Sequence, residues 1–233
     1  MNNITIKIKS AGYLDDPEVI KDIQFTLRQG ELVGLIGANG AGKSTTMRAM
    51  MGLLPKFEGT VSLDDIRYAY IPEHPIFYDE LTLWEHLEFA TAAFHLEKWE
   101  ARANTLLTRF QLDHVKHDLP TGFSKGMRQK VMLVLAFLLK PELYIIDEPF
   151  IGLDPRSTKE LLNMILEEKE RGAAIFMSTH VLDTAEKICD RILLVSGGTL
   201  IAQGTLAHLR ERSQLPNGSL LDCFDRLLEA VES

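Results

Sequence analysis

Apolar and polar residues alternate in two segments of the first thirty residues, and this period of two predicts β-strands. The alternation runs over Ile4–Ile8 and again over Ile23–Leu27. A continuous apolar stretch, Leu32–Ile36, then predicts a buried strand, and a glycine-rich turn separates it from a helix that begins near Lys43. That helix is expected to end by Pro55, because proline cannot continue a helix.

Beyond this point, short apolar runs alternate with longer segments of helical period. The further predicted strands are Val61–Leu63, Tyr68–Ile71, Leu143–Ile146, Ala173–Met177, Ile192–Val195 and Leu200–Gln203. The predicted helices that accompany the later strands are Pro155–Arg171, Leu182–Cys189 and the amphipathic Leu220–Val231. Strands that alternate with helices predict an α/β fold with a mixed, mainly parallel sheet, here preceded by an N-terminal antiparallel β subdomain.

The middle of the chain is predicted to be helical. Thr82 and Glu85 have the Thr-x-x-Glu spacing of a capping box, which predicts the start of a helix. The helices expected in this region run from there through Phe94, over Glu97–Phe110, and from Ser124 to Leu139. We therefore expect a single domain over residues 1–233, with a helical insert at about 76–140 and a helical tail at about 205–233.

Length and composition are those of an ordinary globular protein: 233 residues, of which 45% are hydrophobic and 25% charged. The net charge of −8 disfavours a general nucleic-acid binder, so no nucleic-acid partner is expected. The longest apolar run, Val131–Leu139, is shorter than the roughly 20 residues of a membrane-spanning helix. Cys189 and Cys223 are too few for a disulfide framework. These features predict a cytoplasmic chain whose membrane role, if it has one, depends on a partner.

Residues 37–44 fit the pattern G-x-x-x-x-G-K-[ST] at every position, between a predicted strand and a predicted helix. In such a P-loop, the glycines let successive amides point at a polyphosphate, and the following helix N-terminus adds a favourable field. We expect Lys43 to reach the β- and γ-phosphates of ATP, Ser44 to bind Mg²⁺, and Thr45 to donate to an inner phosphate. The residues assigned to ATP binding here are Gly37, Asn39, Gly40, Ala41, Gly42, Lys43, Ser44 and Thr45.

Two carboxylates follow the apolar strand Leu143–Ile146. Asp147 can hold the Mg²⁺ shell, and Glu148 can polarise a water for attack on the γ-phosphate. An acidic loop after a strand is common in proteins of many functions. Together with the P-loop, however, the pair predicts hydrolysis of ATP rather than phosphoryl transfer to a second substrate.

These motifs and several others, in the same order along the chain, resemble those of the ATP-binding subunits of ABC transporters. Residues 123–129, Phe-Ser-Lys-Gly-Met-Arg-Gln, stand where that family has its L-S-G-G-Q signature, and Tyr70–Glu73 stands at the Q-loop position. Gly152–Asp154 resembles the D-loop, Ser178–His180 resembles the switch-histidine segment, and Tyr13 resembles the aromatic residue that stacks on adenine. The resemblance covers nearly the whole chain and implies a P-loop NTPase core.

The resemblance implies roles for individual residues. Ser124 and Gly126 of the signature and Asp154 of the D-loop would contact the nucleotide, and His180 would contact the γ-phosphate. By their residue types alone, Ser124 fits an ordinary helix N-cap, His180 a loop histidine, and Tyr13 an aromatic side chain that only packs.

Three features depart from the family pattern. Glu73 replaces the usual Q-loop glutamine, so this carboxylate either reaches the Mg²⁺ shell or faces a permease. In the signature, Lys125 replaces the glycine at the third position and Met127 replaces the glutamine at the last. The segment around Asp64–Tyr68 is shorter than usual. Within the family, segments such as Phe123–Lys130 are most similar to the Ecs-type bacterial ATPases.

The resemblance also implies an assembly. One P-loop and one signature in each chain imply a head-to-tail homodimer with ATP at the interface, peripheral to the cytoplasmic face of the membrane through a membrane-spanning permease. The implied function is ATP-driven transport, with export favoured over import. Two alternatives stay open: a soluble ABC ATPase in cofactor assembly, and a regulatory module that binds ATP without turnover.

Overall fold

The computed structural model describes residues 3–63 and 65–232. Its strands are β1 (Ile4–Gly12), β2 (Ile20–Leu27), β3 (Leu32–Ile36), β4 (Lys56–Val61), β5 (Tyr68–Ile71), β6 (Leu143–Asp147), β7 (Ala174–Thr179), β8 (Arg191–Ser196) and β9 (Thr199–Gly204). Its helices are α1 (Lys43–Met50), α2 (Leu83–Ala93), α3 (Glu100–Arg109), α4 (Lys125–Leu139), α5 (Pro155–Glu170), α6 (Leu182–Ile188), α7 (Leu206–Ser213) and α8 (Leu220–Glu232). They form two compact units: the first comprises the described residues up to 66 together with those from 174 onward, and the second comprises residues 67–173.

The first unit contains both antiparallel and parallel strands. β2, β1 and β4 form an antiparallel sheet, and β1 pairs with β2 from Ile4↔Leu27 to Ala11↔Ile20. The apolar side chains of the alternating segments are buried on one face of this pair. β3 runs parallel to both β7 and β8 and is buried at all five positions, whereas β9 pairs antiparallel with β8. This arrangement explains why β3 reads as a continuous apolar run.

The C-terminal helix α8 covers one end of the first unit. Leu220, Cys223 and Leu227 are buried in a cluster with apolar side chains of α6, β8, β9 and α7. The amphipathic helix predicted at Leu220–Val231 is thereby confirmed. The Ser213 hydroxyl donates to Cys223 Sγ at 3.3 Å.

The second unit contains the predicted helical insert. β5 and β6 pair in parallel, and α4 packs against both α2 and α3. The capping box at the start of α2 is confirmed, since the Thr82 hydroxyl accepts from the Glu85 N–H and the Glu85 carboxylate accepts from the Thr82 N–H at 2.7 Å. The Glu85 carboxylate also accepts from the Thr82 hydroxyl at 2.7 Å, and this bond together with that from the Thr82 N–H holds the pKa of Glu85 below its usual range.

The strand predicted at Val61–Leu63 is wrong in its position, because β4 covers Lys56–Val61 instead. Its first five residues are exposed, so no apolar alternation marks the strand in the sequence. Tertiary packing defines it: a Cβ at Gly59 would lie 2.2 Å from the carbonyl oxygen of Lys7 on β1. Asp64, in the connection that follows, lies outside the described residues.

Most other helix and strand boundaries lie within one or two residues of those predicted. The largest helix difference is α3, which begins at Glu100 rather than Glu97 because the backbone of Lys98 is left-handed, with φ of 54°. The α/β fold class, with a mainly parallel sheet and an N-terminal antiparallel sheet, is confirmed. Across 3–63 and 65–232, no helix combines the length and apolar character needed to cross a membrane.

Candidate active site

The predicted P-loop leaves the carboxyl end of β3 and leads directly into α1, both in the first unit. A Cβ at Gly37 would lie 2.4 Å from the carbonyl oxygen of Val195, so no side chain fits there. Gly40 and Gly42 have φ values of 81° and 98°, in the left-handed region that favours glycine. The glycines of the motif are therefore required by the path of the loop.

Lys43 spans this loop from the first position of α1. Its side chain is buried, and its ammonium donates to the carbonyl oxygens of Gly37 at 2.9 Å and Ala38 at 3.2 Å. Gly42 is the N-cap of α1 and supplies no side-chain acceptor for the first amides of the helix. A buried ammonium beside a helix N-terminus that lacks a side-chain cap suits a phosphate group.

The other predicted P-loop residues take distinct positions around this centre. Asn39 is exposed at the tip of the loop, Ser44 is half-buried, and Thr45 is buried behind the first turn of α1. Ala41 is buried, and its carbonyl oxygen accepts from the Gly198 N–H at 3.2 Å. The loop is therefore tied to the turn between β8 and β9.

His180 lies beside the start of the P-loop. The parallel register of β3 and β7 pairs Ile36 with Thr179, so the residues that follow, Gly37 and His180, leave neighbouring strand ends. The Thr179 hydroxyl accepts from the Val181 N–H at 3.0 Å and fixes the turn after β7. Sequence motifs about 140 residues apart thus meet at one edge of the first unit.

Tyr13 lies in the turn that follows β1, and its ring is half-buried. Its hydroxyl accepts a hydrogen bond from Arg48 Nη1 at 2.9 Å. Arg48 belongs to α1, the helix that begins at Lys43. The structure therefore connects the predicted adenine-stacking residue to the helix of the P-loop.

Asp147 is the last residue of β6 in the second unit, and Glu148 follows it. Both are buried: Asp147 is 2% and Glu148 is 6% exposed. Glu148 has a left-handed backbone with φ of 46°, which is unusual for a residue with a side chain and is often found at functional sites. Ile71 of β5 pairs with Ile146 of β6, so Glu73 and Glu148 each lie two residues beyond paired positions. Because the strands are parallel, all three carboxylates leave the same edge of this pair.

The signature segment forms the N-terminus of α4. Ser124 is the N-cap, and its hydroxyl accepts from the Met127 N–H at 3.3 Å. A Cβ at Gly126 would lie 2.6 Å from the carbonyl oxygen of Gly152, and a Cβ at Gly152 would meet the stem of Lys125 at 3.6 Å. The signature and the D-loop are therefore packed directly against each other.

Asp154 connects these two segments a second time. As the N-cap of α5 it accepts from the Ser157 N–H at 2.9 Å and the Ser157 hydroxyl at 2.8 Å, and it pairs with Lys130 at 2.7 Å. The ion pair with Lys130 and the two hydrogen bonds from Ser157 hold the pKa of Asp154 well below its usual range. The carboxylate predicted to contact the nucleotide thus binds protein groups and fixes the D-loop onto α4.

Replacing Gly126 by alanine is expected to lower ATP turnover by about 10- to 100-fold, because the new Cβ would push the D-loop from the signature. The affinity of a single chain for MgADP should stay within about twofold, since that ligand is held by the P-loop, whose residues are untouched. Phosphate release and nucleotide titration measure the two effects. The matched control is Gly122→Ala, where a Cβ meets nothing within 4 Å. Normal turnover in Gly126→Ala would show that ATP hydrolysis does not depend on the close contact between the signature and the D-loop.

Neither Arg48 nor Lys130 is among the site residues predicted from the sequence. Each lies on the helix that follows a recognised motif, at the fifth residue after Lys43 and the sixth after Ser124 respectively. Their position soon after a motif is the one feature of the sequence that could have pointed to these two residues. Their partners belong to other segments, 35 residues away for Arg48 and Tyr13, so only the tertiary structure shows the contacts.

Comparison with known proteins identifies the family. The profile of the ABC transporter family matches residues 20–151. The chain is 54% identical over 230 residues to the ABC transporter ATP-binding protein YthP of Bacillus subtilis (strain 168), with 98% of each chain covered. It is 44% identical to the ABC-type transporter ATP-binding protein EcsA of the same strain, with 96% of each covered. A solved ATP-binding subunit of an ABC transporter superposes with a TM-score of 0.92 at 43% identity, covering 97% of this chain and 100% of that one.

The fold and the P-loop define a nucleotide-binding protein of the α/β class. The chain belongs to the ABC transporter family, as an ATP-binding subunit. Members of this family hydrolyse ATP, and the prediction of an ATP hydrolase is confirmed. The predicted similarity to the Ecs-type ATPases is likewise confirmed by the match to EcsA.

Proposed function

We propose that this chain powers a transporter in which a separate membrane-spanning permease moves the substrate, in the direction of export. The observation that carries the contact with a permease is an exposed apolar surface on the second unit, in the segment that follows Glu73 and on α2. A subunit that transmits force to a partner needs such a surface, because exposed apolar side chains can be buried in the contact between them. The chain would lie at the cytoplasmic face of the membrane through this contact.

The apolar patch consists here of Tyr78 and Phe89, whose rings are in contact, and of Ile76, two residues before Tyr78 in the chain. Their exposed fractions are 56%, 56% and 80%. The rings of Tyr78 and Phe89 meet edge to face with centroids 5.4 Å apart. Exposed apolar side chains that cluster in this way mark interaction surfaces, and a permease loop or short helix with apolar side chains would cover them.

His86 fixes the segment before α2, which carries Ile76 and Tyr78 of the apolar patch. Its buried ring accepts a hydrogen bond from the Tyr78 N–H at Nε2 (3.0 Å), and Nδ1 lies 2.8 Å from the Thr82 carbonyl oxygen, which assigns the ring proton to Nδ1. Phe77 packs edge-on against the same ring, with centroids 5.4 Å apart. Because this backbone is already fixed, docking of a permease would cost little ordering entropy.

The proposed assembly is a head-to-tail homodimer with two equivalent ATP sites. In each site, Ser124 and Gly126 of one copy would face the γ-phosphate held by the P-loop of the other. The first turn of α4 contains no acidic residue and includes Lys125, which favours an anion at that helix end. Tyr13 would stack on the adenine base, and Asp154 would keep the signature in place.

Hydrolysis would use the chain's own base. Glu148 would take the proton from the water that attacks the γ-phosphate, and His180 would contact that phosphate. Ser44, Asp147 and Glu73 offer a hydroxyl and two carboxylates, the oxygen donors that Mg²⁺ prefers. When bound, Mg²⁺ would neutralise charge on the β- and γ-phosphates.

The apolar patch is tested by Phe89→Asp in the chain co-expressed with the membrane proteins encoded beside it. We expect recovery of a multi-span membrane protein with the detergent-solubilised complex to fall by about tenfold or more, because a charge would replace a ring that the proposed interface buries. Leu166→Asp is the matched control, since Leu166 is an exposed apolar residue of α5 outside the patch. ATP hydrolysis by the isolated chain should be the same in both variants.

Two results would contradict this proposal. Equal recovery with Phe89→Asp and with the wild type would show that the permease docks elsewhere. If no multi-span membrane protein accompanies the wild type at all, while ATP hydrolysis is normal, the soluble ATPase of cofactor assembly becomes the better function.

A further inference from the structure

The turn after β1 is held in one conformation by its own backbone. A Cβ at Gly12 would lie 2.2 Å from the carbonyl oxygen of Asp16 and 2.6 Å from the carbonyl carbon of Pro17, so only glycine allows the chain to fold back so closely. The Tyr13 N–H donates to the same Asp16 oxygen at 2.7 Å. The Cα of Tyr13 is therefore fixed, and the remaining freedom of this residue is the rotation of its side chain.

The hydrogen bond from Arg48 removes that freedom. Arg48 Nη1 donates to the Tyr13 hydroxyl at 2.9 Å, which fixes the far end of the phenol ring. Arg48 lies five residues after Lys43 on α1, about 7.5 Å further along the helix axis. Helix α1 thus begins with Lys43 of the P-loop and carries, near its end, Arg48, which orients Tyr13.

We propose that Arg48 is a positioning residue that sets the Tyr13 ring as the platform for the nucleobase. The inference rests on the proposed function, in which Tyr13 stacks on adenine. Stacking on an aromatic ring accepts any base, because each base has a π-face. The ligand recognised in this way is a nucleotide as opposed to a bare polyphosphate, and the Tyr13–Arg48 pair would not distinguish adenine from guanine.

Arg48 could instead act through its charge on the phosphates, and the two roles predict different results. A positioning role through the ring affects only ligands that carry a base. A role through charge affects every polyphosphate. MgADP and magnesium pyrophosphate separate these two roles, because only MgADP carries a base. The enzyme does not hydrolyse either ligand as it does ATP, and the binding of either does not require the proposed dimer.

The experiment measures the affinity of the full chain for MgADP and for magnesium pyrophosphate in Arg48→Met, Tyr13→Phe, Tyr13→Ala and the double variant Tyr13→Phe/Arg48→Met. We expect Arg48→Met and Tyr13→Phe each to weaken MgADP binding by about fivefold, the worth of one hydrogen bond. The double variant should be no weaker than either single one, because both remove the same contact. Tyr13→Ala should weaken MgADP binding by about tenfold or more, since the stacking ring is lost.

Pyrophosphate affinity should stay unchanged in all four variants. Arg48→Lys should recover part of the MgADP affinity, since its ammonium can still donate to the phenol. Arg28→Met controls for the loss of one positive charge, because Arg28 is an exposed residue of the same unit.

Three results would overturn the inference. Equal weakening of pyrophosphate and MgADP by Arg48→Met would show a direct charge effect on phosphate. Losses that add in the double variant would show that Arg48 acts without Tyr13. Unchanged MgADP affinity in Tyr13→Ala would show that the ring is not the platform. None of these results depends on a permease or a dimer, so each is distinct from a failure of the transport proposal.

Discussion

Glu148→Gln is expected to lower the rate of ATP hydrolysis by about 100- to 10,000-fold while ATP still binds. The amide has the size of the carboxylate but does not accept the proton of the attacking water. The buried position and left-handed backbone of Glu148 fix where the side chain begins, so the amide should occupy the same place. In the proposed homodimer, unhydrolysed ATP would then keep the two copies together.

Phosphate release measures the loss of turnover, and gel filtration with and without ATP measures the dimer. The matched control is Glu170→Gln, which removes the same charge from an exposed position at the end of α5. A wild-type rate in Glu148→Gln would mean that another group acts as the base. A slow variant that stays monomeric with ATP would keep the base assignment and contradict the dimer.

Glu168→Ala is expected to lower the free energy of unfolding by about 3 kcal/mol, the usual cost of breaking a buried ion pair. The Glu168 side chain is 5% exposed and accepts from Arg102 at 3.2 Å and Arg171 at 2.5 Å. Arg102 also donates to the carbonyl oxygen of Phe137 on α4, and Arg171 to that of Pro141. Loss of the carboxylate leaves two half-buried guanidinium groups without their anion, where α3, α4 and α5 are joined.

Urea denaturation monitored by circular dichroism measures this loss. The matched control is the neighbouring Glu167→Ala, whose side chain is 54% exposed and pairs with Arg109 at 2.8 Å. Because this pair is solvated, and Arg109 keeps its contact with Glu160, we expect less than about 1 kcal/mol for the control. Equal costs for the two variants would show that burial does not set the strength of the Glu168 contacts.

Local chemistry determines a large part of this protein, and that part could be predicted from the sequence. The alternation in β1 and β2 and the apolar run of β3 follow from which faces are buried, so each strand carries its own signal. The capping box at Thr82 and Glu85 is a contact between residues three apart, and the sequence contains both partners. The P-loop is local in the same sense, because its glycines and Lys43 act within one turn.

Other features depend on contacts between distant segments, and no local pattern encodes them. β4 is an exposed strand defined by its pairing with β1, so its own residues show no alternation. The approach of Gly126 to Gly152 and the ion pair of Lys130 with Asp154 join segments that are separate in sequence. Because opposite charges and glycines occur throughout the chain, the sequence alone does not say which of them meet.

The same division holds for the site. The sequence by itself determined that a nucleotide is bound and hydrolysed, since the P-loop and the carboxylates of β6 are short motifs whose chemistry is local. Only the tertiary structure decided that His180 lies beside Gly37, that Arg48 holds the ring of Tyr13, and that the apolar patch is exposed. The packing of all the segments together sets strand register, side-chain contacts across the fold and solvent exposure. A sequence pattern shows only which residues are neighbours along the chain.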